Sequence, residues 1–185
     1  MWTAQAKRNS MIPFLCRLCL LGFAVFSLRV VAAHAASVGQ ELSNVQIRDA
    51  EDKPAWIPDF GKKLISVFYN DADEADMNDP LADAIKARNF EETKYKGIGI
   101  GNLKDSKFPN FIIRKIIKGK IEKYKTTILT DPDLTLARAW DLGDCNNTSV
   151  FLLIGKDGRV KYLKKGPIRG AEIDVIVKLI EDLIQ

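Results

Sequence analysis

The chain has 185 residues and a formal charge of +4, with 46% hydrophobic and 28% charged residues, three cysteines and one histidine. The histidine is His34, so neither a Ser-His-Asp or Cys-His arrangement nor the usual zinc ligand sets can be assembled after it. The length suits one domain with a sizeable core.

Residues 1–35 read as a secretory signal peptide. Lys7 and Arg8 precede an uncharged stretch from 18 to 28, and Ala33-His34-Ala35 supplies the small-x-small pattern of a cleavage site. The cut is expected after Ala35, leaving one domain over residues 36–185 and a periplasmic location. The uncharged run is shorter than the roughly 20 residues that span a bilayer, so no stable membrane span is expected after cleavage; an uncleaved anchor is the alternative. Cleavage removes four bases (Lys7, Arg8, Arg17, Arg29) and no acid, which takes the formal charge from +4 to zero. A neutral mature chain gives no reason to expect a nucleic-acid partner. Cleavage also removes Cys16-Arg17-Leu18-Cys19, a C-x-x-C that precedes any strand, so Cys145 is the one thiol of the mature chain.

In the mature chain, Val45 and Ile47 alternate with polar neighbours, and Asp49-Ala50-Glu51-Asp52-Lys53-Pro54 has turn chemistry, which predicts a short edge hairpin. Residues 64–70, Leu-Ile-Ser-Val-Phe-Tyr-Asn, predict a buried central strand. An acidic loop, 71–79, follows, and Asp79-Pro80 predicts a helix start with Leu81, Ala84 and Ile85 buried. Gly97-Ile98-Gly99-Ile100-Gly101 lacks the dinucleotide and P-loop spacings and predicts a strand that needs close packing. Residues 108–124 predict a helix with Phe111, Ile112, Ile116 and Ile117 as its apolar residues, a basic remainder, and a break near Gly119. Together with the acidic loop, the basic helix suggests a dipolar surface able to steer a partner.

Residues 126–129 predict another core strand, and Asp131-Pro132 another helix carrying Leu134, Ala137 and Trp140 and ending at Gly143. The continuous apolar run 150–154 predicts a strand buried on both faces. Asp157-Gly158 predicts a tight hairpin turn into a half-exposed strand over 159–164, and the chain closes on an amphipathic helix. Strands alternate with helices up to residue 129, so the expected class is α/β, with a mostly parallel sheet covered by helices and a C-terminal hairpin plus helix.

Residues 42–70, with Gly61-Lys62-Lys63 before the central strand, resemble the opening of extracytoplasmic thioredoxin-like proteins of the thiol-peroxidase and TlpA type, and residues 127–131, Ala137-Arg138-Ala139-Trp140 and 151–160 resemble their second half. Most specifically, the run 131–140 followed by Leu142, Ser149, Gly155-Lys156-Asp157-Gly158-Arg159-Val160 and Gly166 is similar to the YtfJ family of exported bacterial thioredoxin-like proteins. The resemblance spans essentially the whole mature chain. It implies a thioredoxin-like three-layer sandwich with a central mixed sheet. It also locates a departure: the loop that carries the C-x-x-C in active thioredoxins is here 71–79, without cysteine, and Ser149 stands where a cis-proline normally precedes the next strand.

Dithiol chemistry is therefore excluded in the mature chain, because it needs an attacking and a resolving thiol. The resulting expectation is a redox-inactive binding or interaction module rather than an enzyme. It would need no cofactor, would take a periplasmic protein partner, and would use the region of Asp71, Asp73, Asp76 and Ser149. Two alternatives remain. Cys145 could serve as a single redox thiol, although nearby acids, expected to include Asp71, Asp73 and Asp76, would raise its pKa. The loop 71–79 could hold a hard cation, although it lacks EF-hand spacing, so no metal ligand is assigned.

Overall fold

A computed structural model describes residues 35–185; the signal peptide expected over residues 1–35, with Cys16 and Cys19, lies outside the described residues except for Ala35. In chain order the elements are β1 (Gln46–Arg48), β2 (Pro54–Trp56), β3 (Leu64–Asp71), a 3₁₀ turn (Ala72–Glu74), α1 (Asp79–Ala87), β4 (Tyr95–Asn102), α2 (Asn110–Tyr124), β5 (Thr127–Asp131), α3 (Thr135–Ala139), β6 (Ser149–Ile154), β7 (Val160–Lys165) and α4 (Ala171–Leu183). The seven strands form one sheet in the order β2-β1-β5-β4-β3-β6-β7. β3, β4 and β5 run parallel, while β6, β7 and the β1–β2 hairpin are antiparallel to their neighbours.

Alternation along the strands divides the core between two faces. On one face, Ile65, Val67 and Tyr69 of β3, Ile98 and Ile100 of β4, and Val150, Leu152 and Ile154 of β6 pack with Leu136, Ala137 and Trp140 around α3 and with Leu42 and Ile57. On the other face the apolar residues fall into two clusters. Leu64, Phe151 and Leu153 meet Leu81 and Ile85 of α1 and Ile176, Val177 and Ile180 of α4. Ile113 and Ile117 of α2 pack separately, with Leu103 and Ala50. This is a mixed sheet with helices on both faces, and every residue of β6 is buried, as a strand between β3 and β7 should be.

Three local details differ from the expectations. Helix α2 runs through Gly119 without a break, and it buries Ile113 and Ile117 rather than Phe111, Ile112 and Ile116. The helix carries two apolar stripes, and Ile113 and Ile117, one turn apart, are the pair turned toward the sheet. Helix α3 begins at Thr135, not at Asp131-Pro132, because Leu134 adopts a left-handed conformation (φ 55°) before it. At the β6–β7 hairpin only Gly158 has positive φ (71°), and its N–H donates to the Gly155 carbonyl at 3.0 Å. The turn therefore spans 155–158 with glycine in its last position, instead of a two-residue loop in which Asp157 would also be left-handed.

Candidate functional site

The loop after β3 is fixed by its own carboxylates. Asp71 is fully buried; its Oδ1 accepts from the Asp73 N–H (2.9 Å) and its Oδ2 from the Asn147 N–H (2.6 Å), which ties the loop to the chain entering β6. Asp73 reaches the other way. It accepts from the Ser106 hydroxyl (2.6 Å) and the Lys107 N–H (3.3 Å), joining the loop to the segment between β4 and α2. Asp76 alone among the four predicted residues presents its carboxylate to solvent, and it is paired with Lys120 at 2.5 Å.

Ser149 has no exposed surface. Its hydroxyl donates to Asn70 Oδ1 (2.6 Å) and accepts from Asn78 Nδ2 (2.9 Å), while Asn78 Oδ1 accepts from the Ile168 N–H (2.8 Å). Asn78 thus links α1, β6 and the approach to α4 through one side chain, with its second contact to the Gly166 carbonyl at 3.2 Å. Buried amides of this kind specify register because every donor and acceptor must find a partner. Nothing in the sequence marked Asn78: an asparagine within an acidic loop gives no sign that it faces inward.

The acidic loop and basic helix do not stand apart as opposite poles. Lys120 pairs with both Asp76 and Asp79, Lys123 lies 3.9 Å from Asp79, Arg114 pairs with Asp52 at 2.5 Å, and Lys118 pairs with Glu51 at 3.2 Å. The expected dipolar surface is corrected to a set of contacts that neutralise one another. Within α2, Lys115 makes no ion pair among the described residues, and neither does Lys125 at its end.

Cys145 is free and 2% exposed, and it packs in the cluster that includes Tyr69, Trp140 and Leu142. Its Sγ lies 3.5 Å from the Gly143 carbonyl oxygen. Burial pushes the thiol pKa up, Lys165 opposes this, and Asp144, Asp105 and Asp131 add to it. The direction is the one expected from the sequence, but the chief cause is burial and the acids are not those of the 71–79 loop. Lys165 holds the Cys145 loop by donating to the Leu142 carbonyl (3.3 Å) and to that of Asp144. Among the described residues Cys145 is the one cysteine, and no group of three His, Cys, Asp or Glu side chains is placed to hold a metal ion.

Two further features escaped the sequence. The first is an apolar face. Phe108, Phe111, Ile112 and Ile116 are 54%, 74%, 38% and 47% exposed, and they lie on or just before α2, next to the segment that Asp73 grips. The second is a cleft of about 460 Å³ between α1 and α2, with Gly97 and Gly99 on its floor. The close packing predicted for the glycine run holds at Gly99, where a Cβ would lie 3.1 Å from Ile128 Cγ1; at Gly97 the nearest atoms are 3.6 Å away.

The fold is a mixed α/β sandwich closed by a C-terminal hairpin and helix, and the loop 71–79 after β3 carries no cysteine. Residues 61–183 match the family described as "Bacterial protein of unknown function (YtfJ_HI0045)", and the chain belongs to that family. A Haemophilus influenzae protein described as uncharacterized is 27% identical over 110 residues, which span 58% of this chain and 59% of that protein.

Among solved structures, a peroxiredoxin-like protein from Aquifex aeolicus is similar with a TM-score of 0.57 and 12% identity, covering 82% of this chain and 90% of that one. The thioredoxin domain of a thiol-disulfide oxidoreductase from Bacteroides vulgatus gives 0.56 and 13%, covering 82% and 100%. The pneumococcal exposed lipoprotein thioredoxin Etrx1 from Streptococcus pneumoniae gives 0.54 and 16%, covering 76% and 100%. At these identities the likeness is one of fold.

Proposed function

We propose that this chain is an exported, non-catalytic interaction module that binds a protein partner in the periplasm through the end of the sheet where thioredoxins carry their dithiol. One observation carries the reading: four of the eight large apolar side chains found exposed, Phe108, Phe111, Ile112 and Ile116, gather on one short segment at that end. Contiguous exposed apolar surface is unfavourable in water and marks interaction sites in folded proteins. Lys104, Lys107 and Lys115, close to these residues in the chain, make no ion pair among the described residues, so acidic groups on the partner would complement them. Asp73 anchors this segment through Ser106 and Lys107, so the former redox loop now positions the binding face.

The single-thiol alternative is disfavoured, since a buried thiol of raised pKa supplies little thiolate at neutral pH. A cation-binding role for the loop is also disfavoured. Asp71 and Asp73 are already engaged by N–H and O–H donors, and Asp76 and Asp79 by Lys120.

The test places a photo-crosslinking side chain at position 111 in the full chain expressed in its host, with Cys145→Ala in parallel. A discrete adduct is expected at 111, absent from the same probe at Val175 and lost when Ile116→Asp is added. An adduct that requires Cys145, or equal labelling from 175, overturns the reading. The intact mass of periplasmic material should correspond to a chain beginning at Ala36; a mass retaining residues 1–35 refutes cleavage.

A further inference from the structure

A seven-stranded sheet covered by helices on both faces should hide its central strands, yet two residues of β3 and two of β4 remain open to solvent on one face. In β3 the partly exposed residues are Phe68 and Asn70; in β4, Gly97 and Gly99 are likewise partly exposed. All four line the cleft between α1 and α2. The cause is in the sequence: on that face β4 presents Tyr95, Gly97, Gly99 and Gly101 in alternation, so no side chain rises from the middle of the strand.

The helices above do not close the gap, because α1 and α2 belong to separate apolar clusters and meet through polar bridges. Lys120 donates to the Ala75 carbonyl (2.9 Å), Tyr124 OH to Asp79 (3.1 Å) and Lys86 to the Lys123 carbonyl (3.0 Å).

The volume, about 460 Å³, lies within the range of roughly 300–1,000 Å³ usual for small-ligand sites. Its interior is apolar where Phe68, Ile85, Phe90 and Ile128 face it. Its rim is cationic, with Lys63, Lys86, Lys96, Lys120 and Lys125 against Asp79 and Glu92. Lys63 and Lys96 share the single carboxylate of Asp59, at 3.3 and 3.9 Å, and Lys120 is held by Asp76 and Asp79. Lys86 and Lys125 have no carboxylate partner among the described residues. Both stand on the cleft, Lys86 in the last turn of α1 and Lys125 at the end of α2.

We propose that the glycine-floored cleft between α1 and α2 binds a small amphipathic anion, a carboxylate with an apolar body, whose chain lies over Gly97 and Phe68 and whose head is met by Lys86 and Lys125. The site is separate from the Phe108–Ile116 face, and the proposal does not depend on the partner reading.

The test uses decanoate as the probe and decanol as its neutral counterpart, titrated into isotopically labelled protein over residues 36–185 or the full chain. Decanoate should shift the amides of Gly97, Gly99 and Thr127 saturably, and decanol should bind at least about tenfold more weakly, the loss expected for one partly desolvated charge contact.

Gly97→Val should remove those shifts by filling the floor. A Cβ there meets Ser66 Oγ and Tyr95 OH at 3.6 Å, ordinary contact distance, and circular dichroism with a cooperative thermal transition establishes that the valine variant is folded. Lys125→Asn should weaken decanoate about fivefold while leaving decanol unchanged, because Lys125, unlike Lys86, takes no part in the bridges between the helices. Three results overturn the proposal: decanol binding as tightly as decanoate, shifts confined to residues 108–116, or shifts undiminished in a folded Gly97→Val.

Discussion

The two faces of the sheet are made from the same strands, yet one is sealed and the other is split. On the sealed face, α3 has only five residues, and its place is fixed by one buried carboxylate more than by its own length. Asp131 accepts from the Thr135, Leu136 and Ala137 N–H groups at 2.7, 3.0 and 3.1 Å and from the Tyr69 hydroxyl at 3.1 Å. It neutralises the orphan donors at the start of the helix while anchoring it to β3. Trp140 completes this face, fully buried, with its Nε1–H donated to the Ser43 carbonyl at 2.9 Å. On the split face the helices are longer, yet the glycines of β4 give them nothing to pack on between the two clusters. A buried charge joined to helix N–H groups closes a layer; bare strand leaves a space.

The largest test of this contrast is Asp131→Ala. Four neutral donors lose their acceptor at a buried site, and at about 1–3 kcal/mol for each donor left unsatisfied, partly offset by relaxation, the loss should come to about 3–5 kcal/mol. Urea unfolding followed by circular dichroism should show a midpoint shift of that size at unchanged slope. A loss below about 1 kcal/mol would mean that packing around Trp140, not the carboxylate, seals the face.

Next in size is a pair of substitutions on the floor of the split face. Gly99→Val should cost about 1–3 kcal/mol, because its Cβ falls 3.1 Å from Ile128 Cγ1 and the added methyl groups overpack that contact. Gly97→Ala meets nothing closer than 3.6 Å and should instead stabilise by about 0.4–1 kcal/mol, by reducing the freedom of the unfolded chain. Equal costs at both positions would mean that the cleft closes in solution.

The strands and hairpins were legible because a period of two and continuous apolar runs report burial directly: β3, β6 and the β1–β2 turn lie where the residues put them. The same rule failed on α2. A helix with Phe111, Ile112 and Ile116 on one stripe and Ile113, Ile117 and Ile121 on another does not say which stripe meets the sheet. The start of α3 was misread because Asp131 caps from four residues upstream, across a left-handed Leu134, and not as the residue adjoining the helix. The cleft was illegible for a third reason. A glycine strand is equally suited to close packing and to open floor, and the choice depends on how far apart Lys120, Tyr124 and Lys86 hold two helices.

Alkaline titration compares the faces through their tyrosines. Burial first, then Asp131, raises the Tyr69 pKa far above the ordinary value near 10, while burial raises that of Tyr95 against a lowering by Ser66. Tyr162, pushed up to about 12 by burial and then by Glu172, is the most accessible of the three. For each, the folded pKa exceeds the unfolded one, so the neutral phenol's contribution is complete below about pH 10 and is lost as pH rises through the folded value. With Tyr124, the fourth and partly exposed tyrosine, replaced by Phe, ultraviolet titration should therefore show Tyr162 ionising at about 12 in Tyr69→Phe and Tyr95→Phe backgrounds, with the remaining buried phenol released only on unfolding. A reversible titration of Tyr69 near pH 10 in folded protein would contradict the sealed face.

The smallest effect is expected at the mouth of the split face, where Lys120 meets two carboxylates that are not equivalent. Asp76 is 81% exposed at the side chain and Asp79 only 26%, although their distances to Lys120 are 2.5 and 3.1 Å. Distance alone favours Asp76. Solvent screening reverses the order, since an exposed pair contributes about 0–1 kcal/mol however short it is. Asp79 also accepts from the Tyr124 hydroxyl, so its loss weakens two contacts of the bridge between α1 and α2 at once. Asp76→Asn should therefore change stability by less than about 0.5 kcal/mol, with any effect vanishing in 0.5 M salt, whereas Asp79→Asn should cost about 1 kcal/mol or more and retain most of that cost in salt. If Asp76 proves the more costly of the two, the bridge is held from the loop side and the split face opens at its acidic end first.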